Sequence, residues 1–222
     1  YEQTTPHKSL GFIKEFKEGL VYISQTSGLK QFLLLSMGVS LFMRAYRELF
    51  AGISDGIFGM GVEGLAILSS AAGLGAMITA IYLGSSGKIT GLIKTIIIAL
   101  ILAMTTQIVL ATTNIFWVAV VCAAILSAVA TYAGIGGQLV VQNTIHSAVR
   151  GRVMSIWGVI LRGGPASGAW MIGTLTTYSN LQSAFIIATT LFLFIWLWAV
   201  PKTTEMSQNL ERSAEQRDAD IN

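Results

Sequence analysis

Six apolar runs constrain this chain more than any other feature. They cover residues 31–53, 63–83, 91–111, 115–141, 153–176 and 181–200, and each is close to the roughly 20 residues an α-helix needs to cross a hydrocarbon core about 30 Å thick. Unbroken runs of this length exclude a membrane β-barrel, whose strands would alternate over about ten residues. The expected fold is an all-α membrane protein with six transmembrane helices in a bundle spanning 31–200. Composition agrees. Hydrophobic residues make up 53% of the 222 positions and charged residues only 11%, too few charges to cover the surface of a soluble chain.

The net charge of +3 does not imply nucleic acid as a partner, because the basic residues lie between apolar runs, where topology accounts for them. Lys8, Lys14, Lys17, Lys30, Lys88, Lys94, Arg150, Arg152, Lys202, Arg212 and Arg217 all fall on one side when the six runs alternate. The opposite connections, 54–62, 112–114 and 177–180, carry neither Lys nor Arg. Basic residues accumulate on the cytoplasmic side, so both ends of the segment are expected in the cytoplasm. The alternation works only for an even number of crossings, a separate argument for six.

Residues 1–30 read as a cytoplasmic linker. Leu10, Ile13, Phe16, Leu20 and Ile23 recur in it at helical spacing, which predicts a short amphipathic helix on the membrane surface or against the helix ends. Residues 201–222 are charged and lack aromatics, so a disordered cytoplasmic tail is expected. With Tyr1 in place of an initiator methionine and no signal-peptide pattern, the chain is expected to be a piece of a longer polypeptide.

The stretch QNTIHSAVRGRVMSIWGVILRGGPASG, 142–168, carries the strongest chemical signal. Arg150 and Arg152 flank Gly151 in a polar break between two apolar runs. Arg162 lies ten residues further on, roughly 15 Å into the fifth run and so near the membrane midplane. A charge there costs a few kcal/mol, so it is expected to face a polar cavity or a charged partner. Two readings stand: Arg162 binds an anionic substrate or a carboxylate of a proton pathway, or it is a structural arginine paired outside this segment. Gly163, Gly164 and Pro165 directly follow and are expected to loosen the helix and free carbonyls.

A second cluster, Arg44, Arg47 and Glu48, lies in the outer half of the first run, with Arg44 and Glu48 spaced as an i,i+4 ion pair. It is read either as an outer gate in which Glu48 titrates or as an interfacial pair that snorkels. Tyr46, Gln107, Tyr132, Gln138, Gln142, Asn143 and Trp157 are candidates for lining a cavity or bonding between helices, whereas His146 reads as a solvated loop residue. Gly52, Gly56, Gly73, Gly75, Gly134, Gly136, Gly137, Gly164 and Gly168 read as packing positions that also permit helices to glide. The last run is apolar all round, as a lipid-facing helix is, with Trp196, Trp198 and Lys202 as its interfacial anchors.

Catalysis has little to work with. Cys122 is the single cysteine, His7 and His146 are the only histidines, and Glu48 is the one acid in the interior of a run, Glu63 standing at the edge of the second. No metal-ligand spacing occurs, so neither an enzyme site nor a metal or other cofactor is expected.

Six runs, RGRVMS at 150–155 entering the fifth and GLGA at 73–76 in the second together resemble the carboxy-terminal half of a major facilitator superfamily transporter. The likeness is to the bacterial branch of enterobactin and macrolide exporters, and it covers 10–200. In that branch a stretch like VQNTIHSAVRGRVMSIWGVILRGGPASGAWMIG, 141–173, joins helices ten and eleven, and EGLAILSSAAGLGAMITAIYLG, 63–84, looks like helix eight. The resemblance implies a 3+3 inverted repeat forming half of a twelve-helix transporter, to which the GLGAMI of 73–78 and the SGAWMI of 167–172 would correspond. It further implies efflux of a small organic substrate across a bacterial inner membrane, protons as the coupling ion, and the missing amino-terminal six-helix half as partner. Alternatives on the same spans are a homodimeric carrier or channel and a lipid-flipping carrier. The superfamily's G-x-x-x-D-R-x-G-R-R loop motif is matched at Gly84 and Gly91, but Lys88 stands where it has its aspartate. This half therefore supplies no acid at that point of the conformational coupling, and the basic loop would meet an acidic partner in the other half.

Overall fold

The computed structural model describes residues 12–26, 28–86, 91–145 and 147–219, with backbone alone at 12–15, 86, 147–148 and 212–219. Lys88 and His146 lie outside the described residues. The described residues are helical and contain no strand. Helix α1 is Phe12–Gln25 and α2 is Leu29–Gly38; α3, Phe50–Gly52, is a single turn. The long helices follow: α4 Gly61–Ser86, α5 Leu92–Thr112, α6 Phe116–Thr144, α7 Ser147–Leu175 and α8 Leu181–Ala199, with α9, Thr203–Ala219, after a short 3-10 turn.

Four of these are long and apolar enough to cross a membrane: α4, α5, α6 and the helical stretch that begins with α8. Helix α7 has 29 residues, a length of about 43 Å, but its three arginines lower its hydropathy. It begins earlier than expected, at Ser147, so Arg150, Gly151 and Arg152 lie in its first turns rather than in a polar break. Arg162 is at its middle. Pro165 lies inside α7, and the helix runs on past Gly163 and Gly164 to Leu175 without a break. What Pro165 does remove is the amide partner of the Leu161 carbonyl.

The first run is not one helix. After α2 the backbone widens into a π turn at Val39–Met43, tightens to 3-10 at Ala45–Arg47, passes through α3 and widens again at Ile53–Ile57. A π turn leaves carbonyls without their usual i+4 amide. One is satisfied from outside: Gln107 of α5 donates Nε2 to the Phe42 carbonyl and to Thr189 Oγ1, each at 3.1 Å. Gln107 is thus an interhelical bonding residue, as expected. The widened turn also receives α7. A Cβ on Gly164 would come within 2.5 Å of Ser40 Cβ, and one on Gly168 would strike the Leu41 carbonyl.

Helix α4 lies against α6 in the same manner, with Gly75 on the Ala124 carbonyl. Gly73 and Gly163, expected among the packing glycines, face open space: nothing lies within 4 Å of a Cβ on Gly73, and only the Val159 side chain, at 4.0 Å, near one on Gly163. Leu68, Leu100, Ala123, Leu126, Val140, Phe185 and Phe192 fill the bundle between the helices. Leu74, Met77, Ile78, Ile81 and Tyr82 of α4 are exposed.

On the expected cytoplasmic side the amphipathic helix α1 packs on α7 rather than lying free. Gly19 sits against Ile156 and Arg152, and Glu18 pairs with Arg152 at 2.8 Å. The tail is not disordered over Thr203–Ala219, which is helical. Met206 and Leu210, four apart on one face of α9, are fully buried, which supplies the apolar contact the rest of its sequence lacks. Trp196 turns inward and donates Nε1 to the Ile97 carbonyl at 3.0 Å, so it holds α8 to α5 instead of anchoring at an interface. Trp198 and Lys202 do associate, the ammonium standing 3.4 Å from the ring centroid.

Candidate functional site

The two charged clusters that the sequence separates by more than a hundred residues meet in space. Arg44, Arg47 and Glu48 from the irregular segment and Arg162 from the middle of α7 line one cavity of about 450 Å³. Phe50, Leu161 and Pro165 supply apolar wall, and Ser69 of α4 supplies a hydroxyl. Ser69 was not anticipated; a lone serine in a glycine- and alanine-rich helix gives no sequence signal.

The irregular backbone decides what these side chains do. Arg44 is at φ −113°, the step between the π and 3-10 segments. Glu48 and Leu49 then bond back three residues, to Ala45 and Tyr46. At three residues per turn, positions i and i+4 diverge by about 120° instead of the 40° of an α-helix. The expected Arg44–Glu48 pair is consequently not formed; among the described residues the ion pair present is Glu18–Arg152. Arg47, Glu48 and Arg162 are exposed to the cavity and Arg44 is half-buried. The Arg44 guanidinium passes beside Gly134, where a Cβ would stand 3.1 Å from Nη1, so a side chain at 134 would crowd it.

Electrostatically the cavity holds three guanidinium groups and one carboxylate. Its remaining hydrogen-bonding capacity comes from the Ser69 hydroxyl. The arrangement can hold a charged or strongly polar solute against fixed donors in a low-dielectric surround.

Trp157, Tyr132 and Gln138 are not part of this wall. Trp157 is buried, stacked on Phe32 with ring centroids 6.2 Å apart, and fitted over Gly137. It borders a void of about 10 Å³ next to the cavity, shared with Ser40, Arg44, Ile96 and Gly134. Ser40 Oγ and Trp157 Nε1 are buried there without a hydrogen-bond partner. Tyr132 and Gln138 are half-buried on α6. Among the described residues no group of His, Cys, Asp and Glu is arranged to hold a metal.

A groove along α7 leads from the cavity toward the Arg150 end. Gly151, Ser155, Gly158 and Arg162 line it, with Met154, Val159 and Gly163. Arg150 and Gly151 are exposed at that end and Arg152 is engaged by Glu18. Across the bundle, Gly91 takes φ +82° as the cap of α5 and donates to Glu211 of α9, while Gly84 is exposed with open space around it. Glu211 went unforeseen because the tail was read as disordered; the Met206–Leu210 spacing is the signal that would have placed α9 against the bundle.

No curated protein and no solved structure matched the chain. A family profile did: residues 27–219 match that of the Major Facilitator Superfamily. The match takes in the interrupted first run, all the long helices and α9, and it agrees with an all-helical chain that has several membrane-length apolar helices. The chain belongs to the major facilitator superfamily, a family of multi-pass membrane transporters, not enzymes.

Proposed function

We propose that this chain is the carboxy-terminal six-helix half of a twelve-helix exporter that moves a small organic, drug- or siderophore-like molecule out of a bacterial cell, coupled to protons. Membership of the superfamily gives a secondary transporter in general. The direction and the substrate rest on the resemblance to the exporter branch; the coupling and the site are our reading, carried by one observation: Arg44, Arg47, Glu48 and Arg162 line a shared cavity. In this reading the irregular segment 39–57 and α7 count as the first and fifth crossings of a 3+3 inverted repeat, with both ends cytoplasmic in the inner membrane.

The missing amino-terminal half closes the cavity, and the exposed face of α4 together with the glycine face of α7 supports a second helical body there. Alternating access then consists of rocking one half against the other around the cavity. Glycine contacts at 164 and 168 against the π turn leave a smooth interface on which α7 slides, and Glu48 carries the coupled proton. The cytoplasmic loop at Gly84, Lys88 and Gly91 and the start of α7 at Arg150, Gly151 and Arg152 couple the halves on the inner side.

The full native polypeptide, reconstituted in vesicles with an imposed pH gradient and given a panel of dyes and chelators, tests this reading. Gradient-driven movement that falls about tenfold or more in Arg162→Ala is expected. Unchanged transport in that variant, with normal melting, contradicts the assigned role. A native product no longer than this segment would replace the two-half exporter with a homodimeric carrier.

A further inference from the structure

The cavity has a pronounced charge imbalance, and a groove along α7 opens onto its Arg162. Arg44, Arg47 and Arg162 face one carboxylate, Glu48, with which none of them pairs among the described residues. Helix α7 contains Arg150, Arg152 and Arg162 and no Asp or Glu over its 29 residues. Gly151, Ser155, Gly158 and Arg162 follow one another at helical spacing along a groove of about 610 Å³ that shares Arg162 with the cavity. A Cβ at Gly151 would meet nothing within 4 Å, and at Gly158 only the Arg162 guanidinium at 3.9 Å. The groove is therefore open at its glycines, bordered by Met154, Ser155 and Val159, and ends on a cation.

We propose that this groove and basin form a binding track for an organic anion, a solute bearing a carboxylate, phenolate or phosphate group, which travels along the glycine face of α7 and docks on Arg44, Arg47 and Arg162. The inference rests on the transporter reading and deepens it by naming the charge class of what is carried. Two physical arguments support it. Guanidinium groups held deep in a bilayer are costly unless an opposite charge accompanies them, and a bound anion supplies that charge. The planar fork of arginine matches the paired oxygens of carboxylate and phosphate. Glu48 then acts against the ligand: its carboxylate stands in the same wall as the guanidinium groups and competes with a bound anion for them.

The test uses the full native polypeptide in detergent and in proteoliposomes. Carboxyfluorescein is the anionic probe and ethidium the cationic counterpart, while phosphatidylglycerol and phosphatidylcholine vesicles compete as lipid headgroups. Carboxyfluorescein is expected to bind at least about tenfold more tightly than ethidium. Arg162→Gln weakens it about tenfold, Arg162→Lys recovers part of the loss, and Glu48→Gln tightens it severalfold. Competition by phosphatidylglycerol but not phosphatidylcholine identifies a lipid headgroup as the anion, whereas carboxyfluorescein binding that phosphatidylglycerol does not displace identifies a soluble one; both uphold the site. Equal affinity for the two dyes overturns it. So does anion binding unchanged in Arg162→Gln, or no binding of either anion by protein that melts normally. Arg162-dependent binding without uptake into vesicles upholds the anion site and overturns the transporter reading; ethidium uptake indifferent to Arg162 does the reverse.

Discussion

Glu211 of α9 reaches to Gly91 at the start of α5, 120 positions earlier in the chain, and accepts its amide hydrogen at 2.8 Å. Its other carboxylate oxygen accepts from Ile93, also at 2.8 Å, and Ser207 donates to the first. The start of α5 carries the positive end of the helix dipole and unbonded amides, so one buried carboxylate satisfies two donors and matches their charge. Glu211→Ala leaves those amides buried without an acceptor, and a loss of about 1–3 kcal/mol is expected. Glu211→Gln keeps one acceptor oxygen and loses less. Thermal unfolding of the two variants in detergent checks the order; equal stability of wild type and Glu211→Ala contradicts it.

Glycines that look alike in the sequence are expected to behave in opposite ways. Gly168→Ala and Gly75→Ala push a methyl into the Leu41 and Ala124 carbonyls, an overpacking that costs about 1–3 kcal/mol. Gly73→Ala and Gly163→Ala add the methyl to open space and gain up to about 1 kcal/mol from helix propensity. Melting temperatures of the four single variants are the measurement. A comparable fall in all four would mean that α4 and α7 pack elsewhere than here.

The Glu18–Arg152 pair is part-exposed, with side-chain accessibilities of 38% and 31%, so little stability is expected of it. A double-mutant cycle with Glu18→Gln and Arg152→Gln should return a coupling of about 0.2–1 kcal/mol that falls with added salt. Gly19→Leu is expected to matter more, because a Cβ there is already 3.0 Å from Ile156. Protection of 12–25 from protease reads out whether α1 stays on α7, and persistence of that protection in Gly19→Leu would contradict the docking seen here.

How much was legible beforehand depended on whether a residue's role is written in local pattern. The apolar runs corresponding to α4, α5, α6 and α8 were found to within a few residues because twenty apolar positions leave few alternatives. The first run was read as one helix because hydropathy carries no record of pitch. Gly164 and Gly168 pack on residues 40–41 where the π turn runs, and Gln107 holds the Phe42 carbonyl. All of these partners are distant in sequence. The Arg44, Arg47 and Glu48 cluster and Arg162 were visible separately, as charges out of place, but their convergence and the loss of the Arg44–Glu48 pair were not, because they depend on backbone pitch and tertiary packing. Trp157 has the polar handle of a cavity residue, yet Gly137 and Phe32 enclose it. The tail failed for the opposite reason: its charged average hid two buried residues, Met206 and Leu210.

Sidedness of the cavity tests the central claim most directly. In the full native polypeptide with other cysteines removed, Cys122 included, Ser69→Cys places a small thiol in the wall beside Arg162, and Thr190→Cys places one on the exposed face of α8. A membrane-impermeant thiol reagent is expected to modify Cys at 69, from one side of the membrane at a time, with the reactive side changing as the proton gradient is reversed, and to leave Cys at 190 untouched. Failure to modify position 69 from either side, or modification indifferent to the gradient, would contradict a water-filled transport cavity built on Arg44, Arg47, Glu48 and Arg162.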